Sequence, residues 1–158
     1  MTSDDLKTLR NQLVKAISGG ESHITFDKVV KDFLPEARGV RPEGTPHSAW
    51  ELVEHMQIAQ HDILEFVRNP KHQSPEFPNG YWPPTQEPPN EKAWDECVRS
   101  FQQDSKELEQ LIRKEDLFAS PPHGEGQTLL REAVLVANHN SYELGQLVFL
   151  KRMLLGRV

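Results

Sequence analysis

The stretch that most constrains this chain is QTLLREAVLVANHNSYELGQLVFLKRMLL, Gln127 to Leu155. Its apolar residues recur at helical spacing along two adjacent stripes. One runs through Leu130, Val134, Ala137, Ser141, Leu144 and Val148, the other through Val136, His139, Glu143, Leu147 and Leu150. A band this wide belongs to a helix that several neighbours cover. Two ligand-type side chains, His139 and Glu143, sit inside the band, four residues apart on one face. Their Cβ atoms should lie roughly 5–6 Å apart. An unpaired buried carboxylate is expensive, so Glu143 calls for a cation or a protonated imidazole beside it.

The other helices follow from caps and periods. Ser3 is placed to cap a first helix with Leu6, Leu9, Leu13 and Ile17 inside, and Gly19-Gly20 stops it. Thr25 can cap a short helix carrying Phe26, Val29, Val30 and Phe33. Residues 35–46 read as a Pro/Gly loop. The second long helix starts either at Pro46 or at the capping box Ser48-Ala-Trp-Glu51. Its inward stripe is Leu52, His55, Ala59, Ile63 and Phe66, with Asp62 at the edge, and it ends by Asn69-Pro70.

A Pro-rich connection, Pro70 to Pro89, separates the second and third long helices. Connections this long in compact domains are functional or packed, and Phe77, Tyr81 and Trp82 favour packing, either as a lid or as a roof over one end of a bundle. Asn90 can cap the third long helix, with Trp94, Cys97, Val98, Phe101, Leu108, Leu111 and Ile112 inside. Thr128 can cap the last. The expected fold is all-α: one domain over residues 1–158, a four-helix bundle with a first connection long enough for a crossover.

Composition removes several function classes. The chain has 24 acidic against 18 basic residues and no Lys/Arg cluster, which argues against nucleic acid as a partner. The longest apolar run, Ala133 to Ala137, is far too short for a membrane span. One cysteine, Cys97, forms no intramolecular disulfide and fits a reducing cytoplasm; placed on a core stripe, it reads as an inert hydrophobe. Glu-x-x-His, His-Glu-x-x-His and glycine-rich phosphate loops are all absent, against a di-iron bundle, a zincin or a nucleotide site.

Of seven histidines, His23, His72 and His123 fall in loops and His61 off the inward stripe, so all four are expected at the surface. His47 is placed to cap its helix or touch the Pro-rich connection. His55 alone shares the apolar face of the second long helix. Two buried imidazoles and a carboxylate can satisfy one another or hold a divalent ion, and three protein ligands leave the fourth position of a zinc-type site open, as in catalytic centres.

PHSAWELVEH from Pro46 to His55, followed at a distance by NHNSYELGQ from Asn138 to Gln146, resembles the DinB-like superfamily of metalloenzymes. The likeness runs over nearly the whole chain, including the Tyr81-Trp82-Pro83 segment and the closing Leu150 to Met153. It implies a four-helix bundle, commonly dimeric, with a divalent metal on His55, His139 and Glu143. Zinc or nickel come first among the candidate ions, then iron or manganese. It also implies the activity of relatives that are thiol S-transferases or a thiol-dependent isomerase, with a small-molecule substrate such as a low-molecular-weight thiol. The superfamily usually carries a third histidine where this chain has Glu143, so a His2Glu set replaces three imidazoles. Gln146 and Asp62 are candidates to support the ligands. The alternative is a non-catalytic dimeric bundle, an interaction protein whose polar cluster is a remnant in which Glu143 pairs with a protonated histidine. A homodimer is expected from the width of the last helix's apolar band and from Gly145, which permits a close helix approach.

Overall fold

The computed structural model describes residues 2–156. It contains α1 (Ser3–Ser18), the short α2 (Phe26–Val30), α3 (Ala49–Arg68), α4 (Ala93–Lys114) and α5 (Leu129–Leu155), with 3-10 turns at Pro35–Ala37 and Asn79–Tyr81 and no strand among the described residues. The molecule is an all-helical bundle. Thr25, Ser48 and Thr128 cap their helices as their sequences require, and Ser48 and Glu51 close a reciprocal capping box, which settles the start of α3 at Ala49 rather than Pro46. Two starts differ from the sequence reading. Thr2, not Ser3, caps α1, because Asp5 stands three residues on to complete the box. α4 starts at Ala93, three residues after Asn90, whose side chain accepts from the backbone of Lys92 and Ala93.

α1 and α3 each pack on both α4 and α5 and so occupy one diagonal of the bundle. Pair contacts fix the directions. Cys97 lies against Val53, Gln60 donates to the Phe101 carbonyl, and Leu64 clusters with Leu108, so α3 and α4 run parallel. Gln60 meets Asn140 and Leu64 meets Val136, so α5 runs against α3. Ser18 on Glu109 and Arg10 on the Ile112 carbonyl set α1 antiparallel to α4.

Parallel neighbours in direct succession explain the Pro-rich connection. A helix of 20 residues is about 30 Å long, and the chain must travel back that distance before α4 can start beside α3. Residues 69–92 make this return as a strap along the side of α3. They do not roof an end; this return is a lengthwise crossover, and the first connection crosses the diagonal from α1 to α3. The strap is pinned at three points seven residues apart on one line of α3. Asp62 accepts from the Tyr81 hydroxyl and pairs with His72, His55 donates to the Tyr81 carbonyl, and Ser48 donates to the Gln86 carbonyl. Trp82 packs against the core, but Phe77, expected to pack, is 83% exposed.

The first connection carries α2 onto α5. Phe26, Val29, Val30 and Phe33 join the main core with Trp50, Met56, Trp94, Phe101 and Leu147. Lys151 is buried, and its ammonium donates to the Val29 and Lys31 carbonyls, each at 2.7 Å. A cation satisfying carbonyls at the end of α2 turns a costly burial into a clamp.

Of the two stripes on α5, the one through Val136, Glu143, Leu147 and Leu150 is the more deeply buried, although Leu144 of the other is also in the core. Val134, on the other, is 51% exposed. On α3 the inner positions are Leu52, Val53, Met56, Ala59 and Leu64, while Ile63 and Phe66 are half-buried because the α3 to α5 seam opens towards its end.

Candidate metal centre

The antiparallel pairing of α3 and α5 brings His55 opposite His139 and Glu143. One ligand-capable atom from each of the three lies within 4.8 Å of the others. His55 Nε2 is 3.1 Å from His139 Nε2 and 3.8 Å from a Glu143 carboxylate oxygen. The strap fixes the His55 tautomer. Its Nδ1 is 2.8 Å from the Tyr81 carbonyl, and a carbonyl only accepts, so Nδ1 carries the hydrogen and, in the neutral ring, Nε2 turns a lone pair inward. Trp82 stacks on this ring at 3.9 Å and 3°, and on His47 at 4.0 Å and 15°.

Burial sets the electrostatics. It holds the pKa of both His55 and His139 below the usual histidine range and raises that of Glu143 above the usual carboxylate range. Imidazolium formation is therefore disfavoured where the ion-pair alternative needs it, and the 3.8 Å separation of His55 from Glu143 is longer than a hydrogen bond. Two neutral imidazoles and a carboxylate facing one point instead form a donor set that a divalent cation satisfies. It supplies the positive charge that the carboxylate lacks and takes both nitrogen lone pairs. Imidazole and carboxylate donors suit zinc, nickel, iron and manganese alike.

Supporting contacts surround the three. Gln146 donates to Glu143 Oε2 at 2.6 Å, orienting the carboxylate as its one-turn spacing suggests. Asp62 acts on His55 at one remove. It accepts from the Tyr81 hydroxyl at 2.6 Å and from His72 at 2.7 Å, and so holds the residue whose carbonyl holds His55. Tyr81 carries the mark of this bond, its phenol pushed up to about 12 by burial and by Asp62. The sequence pointed to Asp62 but gave Tyr81 and Trp82 no role at the site. The available signal was a Tyr-Trp pair in a proline-rich segment too long for a simple turn.

The remaining histidines divide. His61 and His123 are exposed, as expected. His72 and His23 are half-buried, against expectation, because Asp62 and Ser141 respectively draw them in. His47 touches the Pro-rich connection through Trp82, one of its two expected contacts. Cys97 is buried with its thiol pKa pushed up, the state of an inert core residue.

A protein-family model described as the DinB superfamily matches residues 23–147, more than half of the chain. No curated protein and no solved structure matches it.

Proposed function

The chain belongs to the DinB superfamily, and from that premise we propose that it is a divalent-metal-dependent enzyme whose metal is held by His55, His139 and Glu143. The observation that carries this reading is the convergence of buried His55, half-buried His139 and buried Glu143 on one point, where burial disfavours both the imidazolium and the carboxylate charge that a cation would stabilise. Within the superfamily we favour an S-transferase that accepts a small molecule such as a low-molecular-weight thiol. A bound divalent ion with an open position supplies the Lewis acidity that lowers a thiol's pKa. The chain's own residues do the rest. Tyr81 and Trp82 hold the His55 ring, Gln146 aims the carboxylate, and the strap walls one side of the site from water. The single buried cysteine supports a reducing cytoplasm as the setting, and no helix of the described residues is long and apolar enough to cross a membrane.

Elemental analysis of protein purified without a metal-affinity tag tests the proposal. About one equivalent of metal is expected, and His55→Ala should remove it while keeping the helical far-UV signal. Full occupancy in that variant would take α3 out of the site. Loss of free thiol on mixing candidate thiols with electrophiles then tests transfer.

We further propose that the protein is a homodimer paired through α5. Its outer face shows Tyr142, Phe149 and Met153 to solvent, and a Cβ added at Gly145 between them meets nothing within 4 Å.

A further inference from the structure

A second pair of polar side chains meets on the side of α5 turned away from the candidate metal centre. Ser141 is two residues from both His139 and Glu143, about 200° round the helix from each, and faces α1. The loop between α1 and α2 brings His23 against it. Gly19 and Gly20 have φ of 69° and 91°, and the Gly20 amide donates to the His23 carbonyl at 3.0 Å. A Cβ on Gly19 would stand 3.1 Å from His23 Cε1, so glycine there supplies both the left-handed backbone and the room for the ring.

His23 is held at both nitrogens. Nδ1 lies 2.9 Å from the Ile24 carbonyl, and Nε2 lies 3.0 Å from Ser141 Oγ. Because the carbonyl can only accept, Nδ1 carries the hydrogen, and Nε2 of the neutral ring offers its lone pair to the serine hydroxyl. Nucleophile, base and a third group orienting the base are the parts that activate a serine. Ser141 Oγ also lies 2.8 Å from the Ala137 carbonyl, the resting acceptor of a helical serine, so its proton has two partners. The pair opens on a groove of about 620 Å³ between α1 and α5, walled by Leu13, Ala16, Val134 and Ala137 with Asn138 and Tyr142. Asn138 is one turn from Ser141 on the same face, its Cβ about 5–6 Å away, and its amide is the donor available to a developing oxyanion. No Lys or Arg is among the groove's lining residues.

We propose that Ser141 and His23 form an acyl-transfer site, separate from the metal centre, for small uncharged carboxylic esters with an apolar acyl group. Ser141 Oγ bonds to the ester carbonyl carbon as its proton passes to His23 Nε2. The bond to the leaving oxygen then breaks, and that oxygen takes the proton from His23, leaving an acyl-serine. Water adds to the acyl carbon with its proton going to His23, the Oγ–carbon bond breaks, and Oγ recovers the proton.

p-Nitrophenyl acetate, with a chelator present throughout, tests this independently of any metal. The expected result is a burst of about one equivalent of p-nitrophenolate and an acetyl group on Ser141 by peptide mass mapping. Ser141→Ala should abolish the burst. His23→Gln can still hydrogen-bond to Ser141 and tie the loop to α5, but it removes the base and should slow acylation about a hundredfold. Absence of the Ser141 adduct in the wild-type protein, or equal acylation in His23→Gln, would reduce the pair to a structural latch and overturn the proposal.

Discussion

Glu143 shows how one side chain can weaken the fold while making a site. Its pKa is raised above 4.5 by burial, so between the unfolded and folded values the native state holds more protons, and stability falls as pH rises through the folded value. Glu143→Gln keeps the shape and removes the ionisation. In metal-free protein, denaturant curves for wild type and variant should coincide below pH 4.5, and the variant should become the more stable as pH rises towards neutrality. With metal bound the order should reverse. Losing the anionic oxygen should lower metal affinity by more than the roughly 10–100-fold typical of a supporting residue. Glu143→His should retain zinc. Equal metal content in wild type and the Gln variant would mean that Glu143 is no ligand. Gln146→Leu, which leaves the ligands in place but frees the carboxylate, belongs in the supporting class, and titration should show a drop of about 10–100-fold. The three candidate ligands were legible in the sequence because each is a polar residue at the period of an apolar stripe, a conflict that only a partner resolves. Tyr81 was not legible, since it acts on His55 through a backbone carbonyl that any residue possesses.

At the scale of elements, the helices announce themselves through period and caps, and the strap does not. It has no period of its own, and its course is dictated by α3, on which Ser48, His55 and Asp62 form a line of anchors. Nothing in residues 69–92 states that α3 and α4 run parallel; that follows from which faces pack. The width of the apolar band on α5 likewise leaves open which edge is inside, and its period sets Val134 on a core stripe although it is 51% exposed. Because the strap holds His55 in its tautomer and under Trp82, metal binding and strap order should be coupled. Limited chymotrypsin cleavage after Tyr81 should be slowed by added zinc. Trp82→Ala removes a ring stack of about 0.5–1.5 kcal/mol and should weaken metal binding while leaving the four long helices intact. Cleavage at the same rate with and without metal would show that the strap is independent of the site.

At the scale of the molecule, α5 serves two surfaces at once. Its inner face supplies two of the three candidate ligands and much of the core, and its outer face carries Tyr142, Phe149 and Met153, exposed by 68%, 62% and 46%. A helix polar on its outer face would satisfy a monomer; large apolar side chains in line there are what the proposed homodimer would cover. Gly145, which costs about 1 kcal/mol in a helix relative to Ala, sits between them where its missing side chain would point into open space, a position at which a second helix can approach closely. In the proposed homodimer, twofold pairing would place the same patch of each copy against the other, with Tyr142, which also lines the groove beside Ser141, at its border. Phe149→Asp puts a charge in the middle of the patch without touching the inner face. Light scattering at micromolar concentration should give twice the 18.1 kDa chain mass for the wild type and the single mass for the variant, with metal content unchanged. A wild-type mass of 18.1 kDa would remove the dimer and leave the outer face of α5 to another partner. A variant that is monomeric and has also lost its metal would show that pairing of α5 helps to hold His139 and Glu143 in place.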